Sequence, residues 1–213
     1  MFCTRWTYLP TLAGFLEYVD LLKGWVKERQ ASGQRMALLR DAAPAEGFRL
    51  QTVSFYEKLS ELDSVRDRPS ADFTVRDWIN STAPITRSIW QMEMFEIIDP
   101  MPALPEQGDY SVRFRSYPDL GLGADARIST VDTVTRLQSR GFNVGAAWQQ
   151  FARGGAITEW DFSMKRIGDW EELSKKIFAD PDFQADNSNA GVMSRPSSID
   201  LWEVVIAAPP AKK

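Results

Sequence analysis

Two short stretches of this 213-residue chain resemble each other: "MFEII", Met94–Ile98, and "LWEVV", Leu201–Val205, with Phe95-Glu96 falling on Trp202-Glu203 at an offset of 107. They are the last of five such matches in the same order. "TRWTYLP", Thr4–Pro10, overlies "VRFRSYP", Val112–Pro118, at an offset of 108, with Arg5 on Arg113, and Gly33 falls on Gly141 at that same offset. "VSFYEKL", Val53–Leu59, overlies "WDFSMKR", Trp160–Arg166, at 107, placing Phe55 on Phe162, and "ADF", Ala71–Phe73, resembles "PDF", Pro181–Phe183. A period this long constrains the fold more than any local propensity, because each copy must be one supersecondary unit whose open face its neighbour covers. The matches divide the chain into a first unit 1–98, a proline-rich linker 99–109, a second unit 110–207 and a disordered tail 208–213.

Within each copy the hydrophobic period changes in the same sequence. Phe2–Tyr8 alternates as a strand, and Leu12, Phe15, Leu16, Val19, Leu22 and Val26 recur at helical spacing up to Gly33. Strands follow at Met36–Leu39 and Phe48–Glu57, then a second helical stretch from Leu59 through Val65 that resumes near Phe73–Trp78, then a closing strand Ile89–Ile98. The second copy reads likewise: strand Tyr110–Tyr117, a helix marked by Ile128, Val131, Val134 and Leu137, strands Val144–Trp148 and Ala156–Met164, a helix through Trp170, Leu173 and Ile177, and strand Ser198–Ile206. This order is βαββαβ twice. It predicts an α+β chain of two fused ferredoxin-like units, each a four-stranded antiparallel sheet with its helices on one face.

Composition removes several chemistries. The chain has no histidine and one cysteine, Cys3, which excludes histidine-based nucleophile systems, histidine-ligated haem, the usual zinc cages and any intrachain disulfide. A net charge of −4 with interspersed signs shows no basic stripe for nucleic acid, and no apolar run approaches the roughly 20 residues of a membrane span. A cytoplasmic protein without a metal or organic cofactor is the expectation.

Taken whole, the repeat from Phe2 to Ile206 and the segment "DWEELSKKIFADPDF", Asp169–Phe183, resemble the dimeric α+β-barrel superfamily, in a form where two ferredoxin-like halves share one chain. The general likeness is to its NIPSNAP-like and antibiotic-biosynthesis-monooxygenase-like branches. The resemblance implies a barrel closed as a pseudo-dimer within one chain, with homodimerisation left open. It also implies a cavity for a hydrophobic or aromatic small molecule, either between the sheets or between sheet and helices. The monooxygenase branch implies a cofactor-independent monooxygenase or cyclase acting on an aromatic or polyketide-like substrate. The NIPSNAP-like branch implies a non-catalytic ligand- or partner-binding protein.

Two sets of residues stand out as candidates. Arg5 and Arg113 on first strands and Glu96 and Glu203 on last strands are matched between the copies, and the expected antiparallel neighbours make each arginine and its own half's glutamate a structural pair. What the copies do not share points to chemistry. Near its middle strands the second half carries Trp148, Glu159, Trp160 and Asp161 where the first has Arg40, Thr52, Val53 and Ser54. Asp161 or Glu159, shielded by tryptophans, is the candidate general base with a raised pKa. Tyr56, aligned with Ser163, is a candidate hydrogen-bond donor. Arg113, Arg5, Trp160 and Trp148 are the candidate substrate-binding residues.

Overall fold

The structure is a computed structural model and describes residues 1–43, 48–62, 80–87, 91–98, 103–119, 121–149, 157–181, 184 and 194–210. Its elements run β1 (Phe2–Tyr8), α1 (Phe15–Ala31), β2 (Arg35–Asp41), β3 (Leu50–Tyr56), β4 (Gln91–Ile98), β5 (Tyr110–Pro118), α2 (Gly123–Ser139), β6 (Val144–Gln149), β7 (Ile157–Met164), α3 (Asp169–Ala179) and β8 (Ser194–Ile206). All strand pairs are antiparallel, and they close a barrel in the order β1-β3-β2-β8-β5-β7-β6-β4. Within each half the first strand lies between the third and the last, as a ferredoxin-like sheet requires. The halves join where β2 meets β8 and where β4 meets β6, so the described strands close on one another. The first half's second helix falls mostly on residues 63–79, outside the described residues, as do the Gly154-Gly155 turn and most of the loop before β8.

Three apolar clusters follow from strand alternation. The lumen is filled by Phe95, Trp202, Leu39, Val53 and Val204 together with the small residues Cys3, Ala37 and Ala147. The opposite face of the first sheet packs Tyr8, Met36, Leu38 and Leu50 against Tyr18, Leu22 and Val26 of α1. In the second half Val144, Ala146 and Phe162, joined across the seam by Ile98 of β4, meet Val134, Leu137 and Ile177 from α2 and α3. The helix stripes shift slightly from the sequence expectation. Leu12 lies before α1, and Leu12, Leu16 and Ile128 are exposed, while α2 buries Ala126, Thr130 and Thr133 beside Val134 and Leu137.

The equivalence of the halves is clearest at the helix ends. α1 and α2 close in the same way: the amides of Gly33 and Gln34 bond the carbonyls of Gln30 and Arg29, and those of Gly141 and Phe142 bond Gln138 and Leu137. Gly33 and Gly141 have φ of 89° and 88°, the left-handed conformation this cap requires. In both halves the glutamine of the last turn also donates from Nε2 to the next strand, Gln30 to the Met36 carbonyl and Gln138 to that of Val144. Gly141→Ala is expected to cost about 1–2 kcal/mol, since a Cβ is strained at that φ, and a chemical denaturation midpoint measures it.

The segment after β4 does more than link. Gly108 donates to the Val204 carbonyl, Val204 donates back to Asp109, and Lys165 holds Glu106 and Asp109. At the other terminus Pro209 accepts a hydrogen bond from Arg35, and Ala208 lines the lumen opening described below. Residues 211–213 of the expected tail lie outside the described residues.

Candidate functional site in the barrel lumen

Alternation on β1, β5 and β7 sends Arg5, Arg113, Arg115, Glu159 and Asp161 into the barrel, where water is scarce and every charge needs a partner. Glu159 is 0 % exposed and receives both Arg5 Nη1 and Arg115 Nε, the latter at 2.8 Å. Arg115 also grips Glu93 with two bonds of 3.0 Å. Arg113 donates from Nε to Asp161 at 3.0 Å and from Nη1 to Gln51, and Asp161 further accepts from the Ser111 hydroxyl. Toward the far end Arg49 bonds Asp41 and Asp200, each at 2.6 Å. The cations also lie on aromatic faces: Arg5 sits 4.3 Å from the Phe95 ring centre, and Arg113 and Arg49 stand over Trp202.

Burial alone would raise the Glu159 pKa, but Arg5, Arg115 and Arg113 outweigh it and hold it down to about 2. Arg5, conversely, is raised: burial disfavours its charge, and Glu159 more than offsets that. Arg113 is lowered by burial and by the like charge of Arg5. Glu159 is thus a fixed anion, which corrects its assignment as a base of raised pKa. Because its folded value lies below the ordinary 4.5, its stabilising contribution is complete above that pH and is lost as pH falls toward about 2. An acid titration followed by circular dichroism is expected to show about 3 kcal/mol disappearing across that interval in the wild type but not in Glu159→Gln.

The expected Arg–Glu pairs within each half do not form. Arg5 stands opposite Glu93 in register but bonds Glu159 of the other half, and Glu96 lies opposite Phe2 on the outer face, bonded to Arg127 of α2. Arg113 bonds Asp161, and Glu203, also facing outward, bonds Arg40. The physical reason is periodicity: Arg5 and Glu96 belong to opposite faces of the pleat. Three more candidates lie away from the lumen. Trp148 and Trp160 pack on the helix-facing side of the second sheet, where Trp148 abuts Gly123 at the start of α2. Tyr56 faces the same side of the first sheet, its hydroxyl within 3.5 Å of Thr4 Oγ1 and Gln34 Nε2.

A register slip between β3 and β7 accounts for the misplacement of Tyr56 and Trp160. Arg5 pairs with Val53 and Arg113 with Asp161, so the true offset between β3 and β7 is 108 and not 107. Gln51, Val53 and Phe55 then correspond to Glu159, Asp161 and Ser163, and Tyr56 corresponds to Met164. A slip of one residue exchanges the two faces of a strand. The correct register reveals a pseudo-two-fold arrangement: Arg5 reaches across to Glu159, and Arg113 reaches across to the equivalent Gln51.

Above this ionic floor the lumen opens into a cavity of about 90 Å³. Its walls are Cys3, Val53 and Phe55 on one side and Ser111, Asp161 and Ser163 on the other, with small residues Ala37, Gly145 and Ala147 between them. Leu104, Pro105 and Ala208 stand at its rim. Arg5 and Arg113 line its floor, and the Asp161 side chain, 29 % exposed, is more accessible than any other acid of the ion cluster. Burial raises the Cys3 thiol pKa, which makes it a poor nucleophile.

The fold is a closed eight-stranded antiparallel α+β barrel made of two ferredoxin-like halves. No protein-family model matches the chain, and no curated protein is similar to it in sequence. Among solved structures, the chain is similar to a protein described as a candidate monooxygenase from Fusobacterium nucleatum subsp. nucleatum, with a TM-score of 0.73 at 10% identity over 100% of this chain and 97% of that one. It is also similar to an anthrone oxidase-like protein, with a TM-score of 0.65 at 12% identity over 96% and 91% of the two chains. A haem-binding protein from Thermus thermophilus shares the architecture more distantly, with a TM-score of 0.53 at 10% identity over 95% and 90%. Among the described residues no helix is long and apolar enough to cross a membrane, and no cluster of three or more metal-ligating side chains occurs.

Proposed function

We propose that the lumen binds a largely apolar small molecule and acts on it as a cofactor-independent monooxygenase, with Asp161 as the base. The observation that carries this reading is an accessible carboxylate facing an open cavity between Ser111 and Arg113. A carbonyl compound with an activated methylene gives one proton to Asp161, and its enolate oxygen rests against the Arg113 guanidinium. The electron-rich carbon then reduces O2. One oxygen atom becomes the new carbonyl, the other leaves as water with both methylene hydrogens, and the four electrons come from the carbon, so no further reductant enters. The neighbours described as a candidate monooxygenase and as anthrone oxidase-like support this reading through their fold.

An oxygen electrode tests it with phenylacetone, whose methylene lies between a ring and a carbonyl. The expected result is one O2 consumed per dione formed, with the rate lost in Asp161→Asn. Ala147→Leu, which projects into the cavity, is expected to abolish turnover at a stability cost of about 1–3 kcal/mol. Binding without O2 uptake would favour the non-catalytic NIPSNAP-like reading. That reading draws on the fact that both Asp161 oxygens already hold partners.

A further inference from the structure

The equivalent positions of the two halves sort the cavity wall by polarity. Where the first half supplies Cys3, Val53 and Phe55, the second supplies Ser111, Asp161 and Ser163. A ligand therefore meets one apolar side and one hydrogen-bonding side.

Charge narrows the ligand further. Around the floor, Arg5, Arg113 and Arg115 are matched by Glu93, Glu159 and Asp161. Beyond them Arg49 meets both Asp41 and Asp200. Each of these guanidiniums already has a carboxylate, so Arg5 and Arg113 meet an incoming group on the floor as members of neutralised pairs, with the Arg5 Nε–H the one donor there that has no acceptor among the described residues, and Asp161 is the acid that lines the cavity. A buried anion placed there would lose its hydration and gain no free counter-charge. A hydroxyl would add a hydrogen bond to a carboxylate oxygen with a lone pair to spare.

Size sets the last limit. The cavity, about 90 Å³, is smaller than the roughly 150 Å³ apolar cavity that takes benzene and far below the roughly 300 Å³ at which drug-sized sites begin. The comparison sets a single ring as the upper limit below the rim, with any remainder passing Leu104 and Pro105.

We propose that the cavity selects an uncharged molecule of single-ring size that donates one hydrogen bond to Asp161 and lays its apolar side on Val53 and Phe55, and that it rejects the corresponding carboxylate. This rests on the lumen being the ligand site. The test is titration of protein carrying 13C-methyl alanine with phenol, toluene and benzoate at pH 7, following the Ala37 and Ala147 methyl signals by NMR. Phenol is expected to bind about tenfold more tightly than toluene, a difference of about 1.4 kcal/mol, and benzoate not to saturate. In Asp161→Ala, phenol loses that advantage and benzoate gains about tenfold, because Arg113 is released. Toluene binding as tightly as phenol, or benzoate binding the wild type as tightly as phenol, overturns the selectivity and leaves the lumen site standing. Methyl signals that move with none of the three probes, or binding unaffected by Ala147→Leu, overturn both.

Discussion

Glutamine in place of Glu159 is expected to lower the unfolding free energy by about 3–5 kcal/mol. The side chain is fully enclosed and receives hydrogen bonds from Arg5 and Arg115. Glutamine keeps the shape and removes the charge, so Arg5 is left buried against Phe95 without a counter-ion while Arg115 retains Glu93. The cost arises from the stranded cation more than from the lost bond. Consequently the double variant Arg5→Met, Glu159→Met, which removes both charges, should be more stable than the single Glu159→Gln. Urea denaturation of the three proteins measures this, and a double variant less stable than the single one would show that the pair's attraction, not the stranded charge, dominates.

Trp202→Ala carries the second large effect, expected at about 3–5 kcal/mol. Trp202 is among the largest fully buried side chains, and its ring lies under both Arg113 and Arg49. Truncation leaves a void in the lumen core and removes the face on which two guanidiniums rest. The structurally equivalent Phe95, opposite Cys3 as Trp202 is opposite Ser111, carries Arg5 and Arg115 in the same manner. Its truncation should cost a similar amount, and thermal unfolding of the two variants compares them.

Much of this architecture was legible in the sequence because periodicity reports faces and the repeat reports connectivity. The glycine matches at 33 and 141 and the strand order within each half follow from patterns a reader can count. Which residues meet inside the barrel was harder to read. Arg113 and Arg115, Glu93 and Phe95, and Glu159 and Asp161 are each two apart on a strand and therefore share a face. That pattern was visible, but charged residues in an antiparallel strand normally signal the solvated face. Here closure of the barrel turns that face inward, and the charges answer each other across the two halves. The pairing of Arg5 with Glu159 spans 154 positions and has no local signature. An offset of 107 between β3 and β7 sets Tyr56 on Ser163 and Trp160 on Val53, residues of opposite faces, whereas the 108 shown by Arg5 and Gly33 keeps the faces together; Trp148 of β6 matches Arg40 at 108 and lies outside that slip.

The proposed ligand site lies in the lumen, on Asp161, and not between the second sheet and its helices beside Trp160. A crystal structure of the protein grown with phenol tests this most directly. The expected density is a ring between Val53 and Asp161 with its oxygen within about 3 Å of the carboxylate. A ring seated beside Trp160 and Trp148 under α2, with the lumen unchanged, would contradict it.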